Sequence, residues 1–169
     1  PNTVEKVTFQ NDSITVYAAW GYDSNGNNKA DVTEMKYDLN YIHNGALSGM
    51  PDNLPDQFVK GNKATLSTDK PLHQDVNGVP VVFIGWSLEL ERNILSAGDN
   101  YNCITEVDFT DHDISVYAVW GYDTDGDGTA DATQEAHKLL FDNNGGYNGP
   151  ESGKYYLTDN VIDLTAVKQ

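Results

Sequence analysis

The chain repeats itself at a fixed interval of 100 residues. Glu5 to Glu34 aligns without gaps on Thr105 to Gln134, with 14 of those 30 positions identical. The densest stretch is Ile14-Thr15-Val16-Tyr17-Ala18-Ala19-Trp20-Gly21-Tyr22-Asp23 against Ile114-Ser115-Val116-Tyr117-Ala118-Val119-Trp120-Gly121-Tyr122-Asp123. Further on the likeness weakens but persists, Tyr41-Ile42-His43-Asn44-Gly45 running parallel to Phe141-Asp142-Asn143-Asn144-Gly145. A period of this length is a domain's worth of chain, so each period must fold as one unit in a tandem array. The phase divides the chain into residues 1–22, the C-terminal part of a preceding repeat; 23–34, a linker; 35–122, a complete repeat; 123–134, a second linker; and 135–169, the N-terminal part of a following repeat. This is the expected pattern of a segment cut from a longer array. Its outer pieces are complementary parts of one domain, expected to lie partly unpaired or to pair head to tail between molecules.

Each linker is an acidic loop of twelve residues. The first places Asp23, Asn25, Asn27, Asp31 and Glu34 at loop positions 1, 3, 5, 9 and 12, with Lys29 at position 7. The second places Asp123, Asp125, Asp127, Asp131 and Gln134 at the same positions, with Thr129 at position 7. Oxygen-bearing side chains at this spacing wrap a hard divalent cation, position 7 contributing its backbone carbonyl. A Lys at position 7 is compatible, because its side chain can point to solvent. The ligand expected is calcium, two ions in all. Zinc prefers His and Cys, and magnesium demands a rigid octahedron and keeps its waters. The first loop has a carboxylate at position 12, where a bidentate ligand completes the shell. The second has Gln134 there and reads as the weaker site, although Gly128 at position 6 suits the sharp turn. The competing reading for either loop is an ordinary Asp/Asn turn.

Hydrophobic patterning makes the repeat mostly β. Ile14 to Trp20 and Ile114 to Trp120 alternate as half-buried strands leading into the loops. Strands are expected again over Met35 to Ile42 and Ala136 to Phe141, closed by the turns Asn44-Gly45 and Asn144-Gly145-Gly146. Residues 46–56 read as a loop and Pro71 to Gly78 as irregular. Gln57 to Ser67 and Tyr155 to Thr165 read as short strands around turns, and Val79 to Trp86 as an apolar strand. Leu88 to Leu95 is the best helical candidate, ended by Ala97-Gly98-Asp99. The fold class expected is therefore α+β, mostly β, with acidic calcium-loop linkers.

Composition narrows the function. The apolar fraction is only 38%, but ten Tyr, five Phe and three Trp supply enough bulk for a small core. The net charge of −16 disfavours nucleic acid and anionic membrane surfaces as partners. No apolar run is long enough to span a membrane. The single cysteine, Cys103, rules out an intramolecular disulfide and reads as a small buried hydrophobe.

Three short motifs carry a family likeness. Tyr37-Asp38-Leu39-Asn40-Tyr41 with Asn44-Gly45, then Phe83-Ile84-Gly85-Trp86-Ser87, then Val116-Tyr117-Ala118-Val119-Trp120 resembles the Listeria–Bacteroides repeat, the family of the internalin B-repeat. The loops resemble the EF-hand-like, thrombospondin-type-3-like acidic linkers that separate such repeats. The resemblance implies a β-grasp-like (ubiquitin-like) fold and a stalk or adhesive role on the bacterial cell surface or cell wall, secreted and outside the cell. It also implies neighbouring repeats of the same protein as partners, with a host protein or glycan as a further ligand.

Catalytic signatures are missing: the chain has no GxSxG, no HExxH, no phosphate-binding glycine loop and no Cys/His nucleophile pair. The expectation is a non-catalytic protein. His43, His73, His112 and His137 read as solvated, and Trp20, Trp86 and Trp120 as core rather than sugar platforms. Two other classes stay open. A glycan- or host-protein-binding module would show an exposed aromatic patch at Tyr147, Tyr155 and Tyr156. An accessory repeat of a secreted carbohydrate-active enzyme would be decided by its parent sequence.

Overall fold

The computed structural model describes residues 4–10, 13–147 and 149–165; the extreme ends of the two outer segments lie outside them. The ten strands are β1 (Tyr37–Ile42), β2 (Ala46–Ser48), β3 (Leu54–Phe58), β4 (Lys63–Thr65), β5 (Leu72–His73), β6 (Val81–Ser87), β7 (Glu106–Asp108), β8 (Ile114–Tyr122), β9 (Ala136–Leu139) and β10 (Lys154–Leu157). The central repeat is built on a four-stranded sheet in the order β3-β1-β8-β6. Its two middle strands, the first and last of the repeat, run parallel, Leu39 opposite Ile114 and Tyr41 opposite Val116. The outer strands β3 and β6 are antiparallel to them. Pro55 is tolerated because β3 is an edge strand, where a missing N–H costs no ladder bond. Two small ribbons, β2·β5 and β4·β7, close the repeat.

Alternation decides what is buried. Tyr37, Leu39 and Tyr41 of β1 meet Ile114, Val116, Ala118 and Trp120 of β8 in the core, joined by Trp86 of β6. Trp86 and Trp120 are buried, with Phe83 between them at ring distances of 4.9 Å and 5.8 Å. Each indole N–H has a partner. Trp120 Nε1 donates to the carbonyl of Asn44 at 2.8 Å, and Trp86 Nε1 to that of Ser67 at 2.9 Å. Asn44 (φ 41°) and Gly45 (φ 99°) form the left-handed turn after β1, and the Asn44 amide donates to the Ala118 carbonyl at 2.9 Å. The three motifs that carry the family likeness thus meet in one core. Gly85 has a separate reason: a Cβ there would lie 2.9 Å from Cys103 Sγ. Cys103 is half-buried with Leu95, Val119 and Ile84, and burial raises its thiol pKa, as expected of a small hydrophobe.

Several expectations need correction. The described residues contain no α-helix, only two 3-10 turns at Asp31–Thr33 and Asp131–Thr133, so the class is mostly β without the α part. Leu88 to Leu95 is irregular, with bends at Leu88, Glu89 and Asn93 and a single bridge at Leu95. Eight residues are too few for a helix to persist on its own, and β8 competes for their backbone. Leu95 N–H donates to Trp120 at 2.9 Å, and Tyr122 N–H to Leu95 at 2.8 Å. Residues 46–56, expected as a loop, contain β2 and the start of β3. Pro71 to Gly78 contains β5. Tyr155 to Thr165 forms one strand, not two. His73 is not solvated but packs on Trp120, ring centroids 4.8 Å apart.

The largest departure is at Ile14 to Trp20, which forms no strand although its sequence nearly duplicates β8. Trp20 is 93% exposed against 2% for Trp120. A strand is held by its neighbours. β8 lies between β1 and β6, whereas no strand among the described residues pairs with Ile14 to Trp20. Among the described residues no helix is long and apolar enough to cross a membrane.

Candidate metal centres

Both acidic loops close in the same way. Gly21 and Gly121 each lie against the alanine nine residues on: a Cβ at Gly21 would fall 2.6 Å from Ala30 Cβ, and one at Gly121 2.7 Å from Ala130 Cβ. Only glycine lets the loop's end return this close to its entry. Inside, the position-1 aspartate gathers the backbone. Asp123 accepts from the N–H groups of Gly126 (2.8 Å), Asp127 (3.1 Å) and Gly128 (3.0 Å). Asp23 accepts from Asn27 (3.0 Å) and Asn28 (2.8 Å). The position-9 aspartate turns back to position 2, Asp131 accepting from the N–H (3.0 Å) and hydroxyl (2.7 Å) of Thr124. Asp31 accepts from the Ser24 N–H at 3.0 Å, a bond that lowers its carboxyl pKa.

These bonds aim carboxylates at the loop interior. Asp123, Asp125 and Asp131 each bring a carboxylate oxygen within 4.8 Å of the others. Oxygens across a calcium shell of about 2.4 Å radius are separated by at most about 4.8 Å, so the spacing fits. The Gln134 amide nitrogen lies 3.5 Å from Asp127 Oδ1 and 3.4 Å from the Thr129 carbonyl, which places positions 5, 7 and 12 at one spot. In the first loop Glu34 reaches the same place, its carboxylate accepting from Asn27 Nδ2 (2.7 Å) and Asn25 Nδ2 (3.5 Å). Lys29 is exposed, as expected. Among the described residues Asp123, Asp125 and Asp131 form a cluster of carboxylates, while Asp127 and the first loop's Asp23, Asp31 and Glu34 do not join one; the clustered atoms are carboxylate oxygens, the chemistry of a hard cation rather than zinc.

The loops differ in burial, a property that ligand spacing does not report. Asp123 and Asp131 are 4% and 3% exposed, whereas Asp23 is exposed and Asp31 half-buried. The second loop rests on the complete repeat, with Ala132 packed among Leu95 and Val119. Clustered carboxylates shielded from water repel more strongly and gain more from a cation.

The first loop also touches the repeat that follows it, a contact that spacing did not reveal, and the second shares a groove with the strand pair that follows it. Asn25 Nδ2 donates to the Lys60 carbonyl at 2.7 Å, and Asn62 Nδ2 to Ser24 Oγ at 2.9 Å, seating the first loop on the turn between β3 and β4. At the second joint Thr124, Asp131, Leu157 and Asn160 line one groove. Asn160 holds the place of Asn62: each closes its turn by donating its N–H three residues back, Asn62 to Val59 and Asn160 to Leu157. The available signal was the Asn at the end of each turn.

The aromatic patch does not form. Tyr155 and Tyr156 are neighbours on one strand and so point to opposite faces. Tyr155 packs against Gly98 and Tyr147 stands alone in solvent. Comparison with protein families, curated proteins and solved structures finds no significant match for this chain.

Proposed function

We propose that the chain is part of a calcium-rigidified structural and adhesive repeat array, a non-catalytic stalk of a bacterial cell-surface protein. The observation that carries this reading is that the same oxygen-lined loop is built twice, each time between one repeat and the next. A loop of clustered carboxylates without a cation repels itself and lets the joint flex. Calcium held by Asp123, Asp125, Asp127, Asp131 and the Thr129 carbonyl, or by Asp23, Asn25, Asn27, Asp31, Glu34 and the Lys29 carbonyl, removes the repulsion and ties folding to metal. The β-grasp-like reading is supported by the strand order β3-β1-β8-β6 with its parallel central pair. The extracellular assignment rests on the motif likeness and on millimolar calcium being found outside cells.

The test is a thermal melt in millimolar calcium and in excess chelator. Binding at about 100 times the dissociation constant stabilises by about 2.7 kcal/mol per site, a shift of several degrees for a chain this size. Equal melting points in the two buffers would reduce the loops to ordinary turns and sink the proposal.

A further inference from the structure

An asparagine followed by glycine is open to attack by its own backbone, because glycine has no Cβ to obstruct the next nitrogen. The sequence places this pair at Asn25-Gly26 in the first loop and at Asn44-Gly45 and Asn77-Gly78 in the complete repeat. The fold treats the three differently. Asn44 is braced twice, its Nδ2 donating to the carbonyls of Glu91 at 2.6 Å and Ala118 at 2.9 Å. The turn around it is crowded, since a Cβ at Gly45 would lie 2.8 Å from His73 Nε2. Asn25 is braced at both ends of its amide. Its Nδ2 donates to the Lys60 carbonyl at 2.7 Å, and its Oδ1 accepts from the Asn27 N–H at 3.1 Å.

Asn77 has neither kind of brace. Asn77 and Gly78 are both exposed, and the Asn77 amide has no hydrogen-bond partner among the described residues. A Cβ built on Gly78 meets nothing within 4 Å. With φ of 54° and 78°, the two residues form the corner of a two-residue hairpin turn. That hairpin is an isolated bridge, Val76 opposite Val79. Val76 and Val79 exchange both backbone bonds, at 2.9 Å and 3.0 Å, which leaves the Gly78 N–H without a backbone partner.

We propose that Asn77 is a site of spontaneous covalent modification in the folded chain, converted to aspartate and isoaspartate ahead of Asn25 and Asn44. Hydroxide takes the Gly78 amide proton, and that nitrogen attacks the Asn77 side-chain carbonyl carbon. The carbon–nitrogen bond of the side-chain amide breaks, and ammonia leaves with a proton from water. Water then opens the five-membered imide at either carbonyl, giving aspartate or isoaspartate. Nothing is oxidised or reduced. The same reaction at Asn25 or Asn44 must wait for local opening, because the braces hold the amide away from the geometry of attack. The product adds one negative charge to an exposed turn and leaves the core and the metal loops as they were.

The folded chain is held at mildly alkaline pH in chelator, so that bound metal plays no part, beside the same chain in guanidinium. Both are cut with an acid protease, and the product at each asparagine is measured by mass spectrometry. In the folded chain the reaction at Asn77 should run at least about ten-fold ahead of Asn25 and Asn44, whose hydrogen bonds must first be lost. In guanidinium the three rates should draw together. Gly78→Ala should suppress the Asn77 product in both solvents. Three results would overturn the proposal: Asn25 or Asn44 reacting as fast as Asn77 in the folded chain, no Asn77 product there while the guanidinium sample converts, or an undiminished Asn77 rate in Gly78→Ala.

Discussion

The phenol ring of Tyr155 lies where any side chain at Gly98 would have to sit, with Cδ1 and Cδ2 only 2.7 Å and 2.6 Å from a Cβ built there. This contact joins the complete repeat to the strand pair that follows it. Gly98 also has φ 84°, a conformation that disfavours a side chain on its own account. Gly98→Ala should therefore destabilise by about 1–3 kcal/mol, through overpacking and strain together. Tyr155→Ala removes the contact without the strain and should loosen the joint with a smaller loss of stability. Small-angle scattering reads the joint and urea melts read the stability; a joint left unchanged by Tyr155→Ala would show that the contact does not hold it.

Gln134→Glu should act with opposite signs in the two metal states. Without calcium it replaces an amide donor near Asp127 Oδ1 with another negative charge, and the melting temperature should fall. With calcium it supplies the position-12 carboxylate, and affinity at the second loop should rise by ten-fold or more. Calorimetric titration alongside paired melts checks both signs; a lowered melting temperature in both buffers would place Gln134 outside the coordination shell.

The burial difference between the loops predicts unequal costs for equivalent changes. Asp131→Ala removes a buried side chain that holds both the N–H and the hydroxyl of Thr124, a loss of about 1–2 kcal/mol even in chelator. Asp31→Ala exposes its partner to water and should cost under about 0.5 kcal/mol there. Chelator melts of the two variants measure the difference directly.

Asn44 and Trp120 should be energetically coupled. Asn44 accepts from the indole with its backbone and donates to Ala118 with its side chain, so each residue positions the other. A double-mutant cycle with Trp120→Phe and Asn44→Ala should give a coupling of about 0.5–3 kcal/mol; purely additive losses would contradict it.

The 100-residue period, the clustering of Asp123, Asp125 and Asp131 and the strands β1, β6 and β8 were legible in the sequence because they rest on local signals: identity, oxygen spacing and alternation within a few residues. The same local signals misled at Ile14 to Trp20 and at Leu88 to Leu95. Ile14 to Trp20 carries the pattern of β8 but lacks neighbours, and backbone groups without partners do not make a sheet. Leu88 to Leu95 carries a helical composition, but the N–H and C=O of Leu95 are taken by β8 and the carbonyl of Glu91 by Asn44. Only the tertiary structure decided the order of the sheet, the seating of the first loop on the turn between β3 and β4 and the burial of Asp123 and Asp131. Those properties depend on residues tens of positions away, and spacing along a chain carries no information about which surfaces will meet.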